Sequence, residues 1–292
     1  TIFGIMQAFW KLFIILPDVI FSKGGYGAFP VLLAARLYKI PVIIHESDAV
    51  PGLVNKWSAK FARRIAVAFE KTASFFPPEK TAVTGNPIRK RLLGANTEEA
   101  RKNLSITSAD PALFFNGGSQ GSENINNMVT AILPQLIKKY EVIHQTGKGN
   151  YESVVQESSV LLERFRKEKY HVFDFLNEDK LRETYAVSSL IVSRAGASAI
   201  FEIAALQKPS ILIPLANSAQ DHQRENAYEY AKTGSSAVIE ESNLSPHLLL
   251  SEIEKLFDHP EISKRMAELA QKFARIDAAE TIAREIIKLG LH

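Results

Sequence analysis

Residues 189–215 read SLIVSRAGASAIFEIAALQKPSILIPL. An apolar run rich in β-branched residues ends at Ser193, a turn of small residues follows through Gly196, a helical pattern fills Ala199–Leu206, and a second apolar run opens at Pro209. Runs this short and this uniformly apolar read as strands buried on both faces, and one helix between two of them makes a parallel βαβ unit. The same alternation extends outward. Upstream lie ALFFNGG (112–118), a helix Ile125–Tyr140, EVIHQTG (141–147), a helix Ser153–Lys167, HVFDF (171–175) and a helix to Tyr185; downstream lie a helix to Lys232 and SAVIE (236–240).

An earlier series has the same form: DVIFS (18–22), a helix from Pro30, PVIIHE (41–46), a helix Val54–Phe61, RIAVAF (64–69) and TAVTG (81–85). The fold expected is α/β with two Rossmann-like domains built on parallel sheets. Gly94–Ala109 lacks a strand pattern and reads as the junction, giving domains 1–107 and 108–292. Pro246–His292 is helical, with Leu248, Leu249, Ile253 and Leu256 at helical spacing, and these C-terminal helices are candidates to pack back on the first domain. Only four strands fit before residue 92, where a doubly wound domain has about five to seven, so the first domain reads as N-terminally incomplete.

The chain has 292 residues, 46% hydrophobic and 23% charged, with no cysteine. Disulfide scaffolds, thiolate metal sites and cysteine nucleophiles are excluded, and a reducing compartment fits. Net charge is +3, but residues 1–107 carry 15 Lys/Arg against 7 Asp/Glu, a balance of +8, and the remainder is −5. The basic half suits an anionic partner. Its basic residues are scattered rather than interleaved with stacking aromatics, which argues against nucleic acid.

The run Ile2–Leu16 is too short to span a bilayer: fifteen helical residues cover roughly 22 Å against a hydrocarbon core of roughly 30 Å. Gln7 and Lys11 interrupt it and Pro17 ends it. It reads as a core helix, yet Phe3, Phe9, Trp10 and Phe13 are many large rings for one buried stripe, and aromatics beside a basic domain suit a membrane interface.

Ligands of open α/β sheets bind beyond the carboxyl ends of the strands. Three small-residue turns stand there: Gly24-Gly25-Tyr26-Gly27, Gly117-Gly118-Ser119-Gln120-Gly121 and Arg194-Ala195-Gly196-Ala197-Ser198. Each offers backbone N–H groups to an anion. None has dinucleotide GxGxxG spacing and no GxxxxGK[ST] loop occurs, so NAD and ATP sites are unsupported. Glu202, six residues past Gly196, suits a ribose diol, the alternative being a solvated helix residue. Asp221-His222-Gln223 with Asn226 suits sugar hydroxyls or a helix cap. His45-Glu46 at a strand end suits acid–base work or plain loop structure. His144 is similar, and Lys148 between Gly147 and Gly149 is a candidate phosphate contact. No metal-ligand spacing appears.

In this order, PDVIFSKGGYGAFP, PVIIHESDAVPGLVNKW, TGNPIRKRLL, NGGSQGSENIN, VIHQTGKG, SRAGASAIFEIAALQKPSILIPL and DHQRENA resemble the MurG family of UDP-N-acetylglucosamine transferases over residues 17–230. The resemblance implies a GT-B fold, its two domains facing across a cleft, and inverting transfer of GlcNAc from UDP-GlcNAc to lipid I without an obligatory metal. It implies donor contacts from Arg89, Ser119, Gln120, Leu176, Gly196, Ala197, Ser198, Ala199, Ile200, Phe201, Glu202 and Gln223, with Leu176 meeting uracil through its backbone. Acceptor contacts would come from Gly24, Gly25, Tyr26, His45, Glu46, Asp48 and Asn55, with His45 and Glu46 as supporting catalytic groups. The family's usual candidate base, a His in a glycine-rich loop, is expected upstream of Thr1. Asp48 stands where the family often has Asn, adding a negative charge beside a diphosphate. The setting implied is peripheral, on the cytoplasmic face of the bacterial plasma membrane, against an anionic surface and near other cell-wall enzymes. Two other readings use the same residues: a UDP-GlcNAc epimerase, and a donor-binding module without turnover.

Overall fold

The computed structural model describes residues 2–165, 167–216 and 218–291. The chain forms two compact units. The first comprises Thr1–Ile88, Ala219–Glu229 and Arg275–His292, and the second Arg89–Ser218 and Tyr230–Ala274. The division therefore falls at 88/89 rather than 107/108, and the first unit takes in two later segments.

The first unit opens with α1 (Ile2–Ile15), β1 (Ile20–Ser22), α2 (Phe29–Tyr38), β2 (Val42–Glu46), α3 (Leu53–Ser58), β3 (Arg64–Val67), α4 (Glu70–Ala73) and β4 (Thr81–Val83). Its four strands are parallel in the order β1-β2-β3-β4. Val42, Ile44, Ile65 and Val67 form the sheet's share of a core closed by Leu32, Ala34 and Ala35 of α2. Helix α1 has one buried side and one exposed side. Ala8 and Leu12 are buried in that core, whereas Phe3, Met6, Trp10 and Phe13 are 59–71% exposed. Phe9 packs edge-on against Tyr38, ring centroids 5.5 Å apart.

The stretch read as the junction, without a strand pattern, contains a helix, α5 (Thr97–Asn103). Asn96 caps it, accepting from the Glu98 and Glu99 N–H groups at 2.9 and 3.0 Å. The second unit continues with β5 (Ala112–Asn116), α6 (Glu123–Lys139), β6 (Glu141–Gln145), α7 (Tyr151–Leu161), β7 (Tyr170–Phe173), α8 (Glu178–Val187), β8 (Ser188–Ser193), α9 (Ala197–Ala205), β9 (Ser210–Leu212), α10 (His222–Ala231), β10 (Ala237–Val238), α11 (Pro246–Asp258) and α12 (Pro260–Phe273). Helix α10 begins in the first unit, and α13 (Ala278–Gly290) belongs to the first unit. Helix α7 stops six residues short of the expected Lys167.

All six strands of the second sheet are parallel, in the order β10-β9-β8-β5-β6-β7. Chain order reverses between β5 and β8, the topological switch point at which such sheets bind ligands. Asn116 and Ser193 pair at the carboxyl ends of these two strands, so the loops that leave them start side by side.

Candidate functional site

The loop after β5 turns tightly: Gly118 N–H donates to Asn116 Oδ1 at 2.9 Å, and Gly121 N–H to the Gly118 carbonyl at 3.0 Å. Ser119 and Gln120 stand exposed at its tip. Gly121 and Gly147 carry positive φ and touch backbone to backbone. A Cβ on Gly121 would lie 1.9 Å from the Thr146 carbonyl oxygen, and one on Gly147 2.3 Å from that of Gln120. Ser122 then caps α6, accepting from Ile125 N–H at 3.3 Å.

The loop after β8 delivers Gly196 as the cap residue of α9, with no side chain bonded to the first turn. The N–H groups of Ala197, Ser198 and Ala199 are left for an anion. The Ile200 N–H already bonds the Gly196 carbonyl at 3.1 Å. Ile200 and Phe201, expected among the donor contacts, have their side chains in the interior at 0% and 1% exposure, the Phe201 ring packing on Phe273 of α12 with centroids 5.0 Å apart.

Glu202 is 5% exposed, which removes the solvated-helix reading. Arg89 grips it as a fork, Nε to Oε1 at 2.8 Å and Nη2 to Oε2 at 3.0 Å. That hydrogen bonding raises the guanidinium's already high pKa. The fork uses one lone pair on each oxygen, and the buried Tyr185 hydroxyl also interacts with the carboxylate, so the remaining lone pairs are shared between that hydroxyl and a ligand diol. Leu176 is buried and its N–H donates to Gln145 Oε1 at 3.1 Å, leaving its carbonyl for a base. Gln223 lies in the first unit, not with Glu202 in the second.

Sequence reasoning passed over two groups here. The buried Arg194 guanidinium does not face a ligand: Nη2 donates to Ser122 Oγ at 2.6 Å and to Glu241 Oε1, and Nη1 to the Ile213 carbonyl at 3.3 Å. Glu241 accepts in addition from Asn124 Nδ2 at 2.9 Å and Ala216 N–H at 2.8 Å. Desolvation would raise the pKa of Glu241, but these donors, Arg194 first, pull it below the usual carboxylate value.

In the first unit, the loops after β1 and β2 enclose a cavity of about 350 Å³ lined by Lys23, Gly24, Tyr26, Asp48, Asn55 and His222, among others. Gly24 has φ +79°, and a Cβ there would meet Asn55 Oδ1 at 2.7 Å. Glu46 organises the second loop: its carboxylate accepts from Asp48 N–H (3.1 Å), Gly52 N–H (2.9 Å) and Asn55 Nδ2 (2.8 Å). Burial raises its pKa against the pull of those donors. Asn226, read as a sugar ligand or cap residue, instead fastens this loop, donating to Asp48 Oδ1 at 2.8 Å and accepting from Ala49 N–H at 2.7 Å.

His45 is corrected from a supporting catalytic group to an interior one. It is 0% exposed and does not line the cavity. A carbonyl only accepts, so its Nε2–H donates to Gly85 O at 3.0 Å. Burial lowers its pKa to about 4. His144 is likewise interior, bonded to Asn126 Oδ1 (3.0 Å) and the Tyr170 hydroxyl (2.9 Å), and burial lowers its pKa to about 3.

Both imidazoles are neutral when folded and titrate near 6.5 when unfolded. Below pH 6.5 the unfolded chain binds the extra protons, so stability falls as pH drops toward 4 for His45 and toward 3 for His144. At pH 5.5 each unit should lose about 1.4 kcal/mol relative to pH 8 from its own histidine. Urea midpoints at the two pH values check this, and His144→Gln should flatten the profile of the second unit alone.

Two parallel-sheet α/β units, one with open helix-start N–H groups at its switch point and the other with a polar cavity, fit the class of GT-B glycosyltransferases and their sugar-nucleotide relatives. Residues 112–282 match the glycosyltransferase family 28 C-terminal domain, and residues 2–67 the family 28 N-terminal domain. The chain is 36% identical, over 97% of its length and 77% of the relative's, to a Bacillus cereus UDP-N-acetylglucosamine–N-acetylmuramyl-(pentapeptide) pyrophosphoryl-undecaprenol N-acetylglucosamine transferase. It superposes on Acinetobacter baumannii MurG with TM-score 0.77 at 26% identity, covering 97% of this chain and 77% of that one. The chain belongs to glycosyltransferase family 28, in the group of these N-acetylglucosamine transferases. A Neisseria meningitidis UDP-GlcNAc 2-epimerase shares the fold alone, at TM-score 0.72 and 15% identity, covering 98% of this chain and 80% of that one.

Proposed function

We propose that the chain transfers GlcNAc from UDP-GlcNAc to the muramyl sugar of lipid I, forming lipid II with inversion. The observation that carries this is the start of α9. Open N–H groups at Ala197–Ala199 stand about one turn before a carboxylate, Glu202, that Arg89 holds in place. A helix start takes the diphosphate and the carboxylate takes the ribose diol, the two demands of a sugar nucleotide. Ser119 and Gln120 at the neighbouring loop tip add polar groups beside the diphosphate, and the Leu176 carbonyl faces the base. The helix dipole and these donors stabilise the leaving UDP, so the step has no obligatory divalent metal.

The acceptor enters the cavity of the first unit, where Gly24, Gly25, Tyr26, Asp48 and Asn55 meet its diphosphate and sugar, Glu46 shaping the loop. Helix α1 supports contact with the cytoplasmic membrane face: Phe3, Met6, Trp10 and Phe13 form an exposed apolar strip with large aromatic rings. No helix among the described residues is long and apolar enough to cross a membrane, so attachment is peripheral in this reading. Other cell-wall enzymes are its natural neighbours there.

The test supplies UDP-GlcNAc with and without a short-chain lipid I analogue, with EDTA present. GlcNAc-bearing lipid product and UDP are expected only with the acceptor. UDP-ManNAc formed from UDP-GlcNAc alone would instead establish the epimerase reading, and tight UDP-GlcNAc binding with no product the donor-module reading.

A further inference from the structure

We propose that Lys23 supplies the cation that holds a phosphate of the lipid-linked acceptor, an assignment that rests on the cavity of the first unit being the acceptor site. Lys23 directly follows β1 and lines the cavity beside Gly24 and Gly25. Its ammonium donates to Asn86 Oδ1 at 3.3 Å, and its two other donors have no acceptor among the described residues. Asn86 is itself fully buried, so it fixes the ammonium from behind.

The nearby carboxylates do not consume this cation. Glu46 already accepts three hydrogen bonds, and Asp48 Oδ1 accepts from Asn226. Both act on Lys23 only through space, without a hydrogen bond. Desolvation lowers the pKa of Lys23, with Asp48 and then Glu46 opposing it through space. An exposed ammonium tethered by a single hydrogen bond on a cavity wall keeps two donors for an anionic ligand. His222, the other ionisable side chain on the cavity wall besides Tyr26, has its Nδ1 2.5 Å from the Ala219 carbonyl. The glycines next to Lys23 carry no side chain, so phosphate oxygens can approach the backbone while meeting the ammonium. Asp48 gives the cavity a negative charge that would oppose a phosphate, and Lys23 offsets it.

Steady-state kinetics with the short-chain lipid I analogue test the assignment on Lys23→Met, Lys23→Arg and the double variant Lys23→Met/Asp48→Asn. Lys23→Met should raise the acceptor KM about tenfold or more, leave the UDP-GlcNAc KM within about twofold, and be largely rescued by Lys23→Arg. If Lys23 merely neutralises Asp48, the double variant would return the acceptor KM to the wild-type value, which overturns the proposal; so would a rise confined to the donor KM. Failure of the wild type to transfer at all would count against the acceptor reading, not this one. In that case calorimetry with inorganic pyrophosphate in saturating UDP decides: about tenfold weaker binding by Lys23→Met supports the assignment, and equal binding overturns it.

Discussion

Glu202→Ala is expected to raise the KM for UDP-GlcNAc about 100-fold while changing stability by less than about 1 kcal/mol. The two effects separate because of where the partners sit. Arg89 is 48% exposed along its side chain, so it recovers water when the carboxylate goes. A ribose diol that loses an ionised acceptor forfeits two charge-assisted hydrogen bonds, each worth about 1.5–3 kcal/mol before rehydration is counted. Glu202→Gln keeps one acceptor oxygen and should fall between. Calorimetry with UDP and a thermal melt on the same samples check both halves. Donor binding unchanged in Glu202→Ala would remove the ribose role, and with it the main support for a sugar-nucleotide site.

The position of Glu202 was legible, and its environment was not. The strand–turn–helix run of 189–215 encodes a βαβ unit by local pattern, so β8, α9 and β9 and the loop between them follow from nearest neighbours in sequence. Arg89, by contrast, is 113 residues away from Glu202. Nothing in GNPIR states that its guanidinium closes on a carboxylate rather than on a ligand. The same applies to His45. PVIIHE reads as a strand ending in two polar residues, and only the packing of Gly85, 40 residues on, makes the imidazole an interior donor and leaves Glu46 to face the loop. Helix α5 failed for a different reason. It is seven residues long and its polar surface hides a single buried stripe, Ala100 with Leu104 beyond its end, although Asn96 followed by two glutamates is a capping signal available in the sequence. The domain limit then shifts because α5 packs with α8 of the second unit.

Arg194→Ala should destabilise the second unit by about 3 kcal/mol, a drop in melting temperature of about 6–12 °C, and should also weaken donor binding several-fold. Removing one partner of a buried ion pair typically costs about 3–5 kcal/mol because the other charge is stranded. The lower end applies here, since Glu241 keeps the Asn124 amide and the Ala216 N–H. The effect on the donor follows from what the guanidinium joins. Ser122 ends the loop after β5, Arg194 itself starts the loop after β8, and Ile213 ends the strand run of β9. All three loops leave the carboxyl edge of one sheet, and α9 begins two residues past Arg194 at its cap, Gly196. A destabilised core alone would not move the donor site, so Val129→Ala, a cavity variant at a fully buried position of α6, is the control. It should lower the melting temperature with donor KM unchanged. The double variant Arg194→Ala/Glu241→Ala should be less destabilised than the sum of its singles, by about 1–3 kcal/mol, because no charge is left stranded. Strict additivity would mean that the pair does not act as a unit, and equal donor KM values in Arg194→Ala and Val129→Ala would mean that the guanidinium only holds the fold.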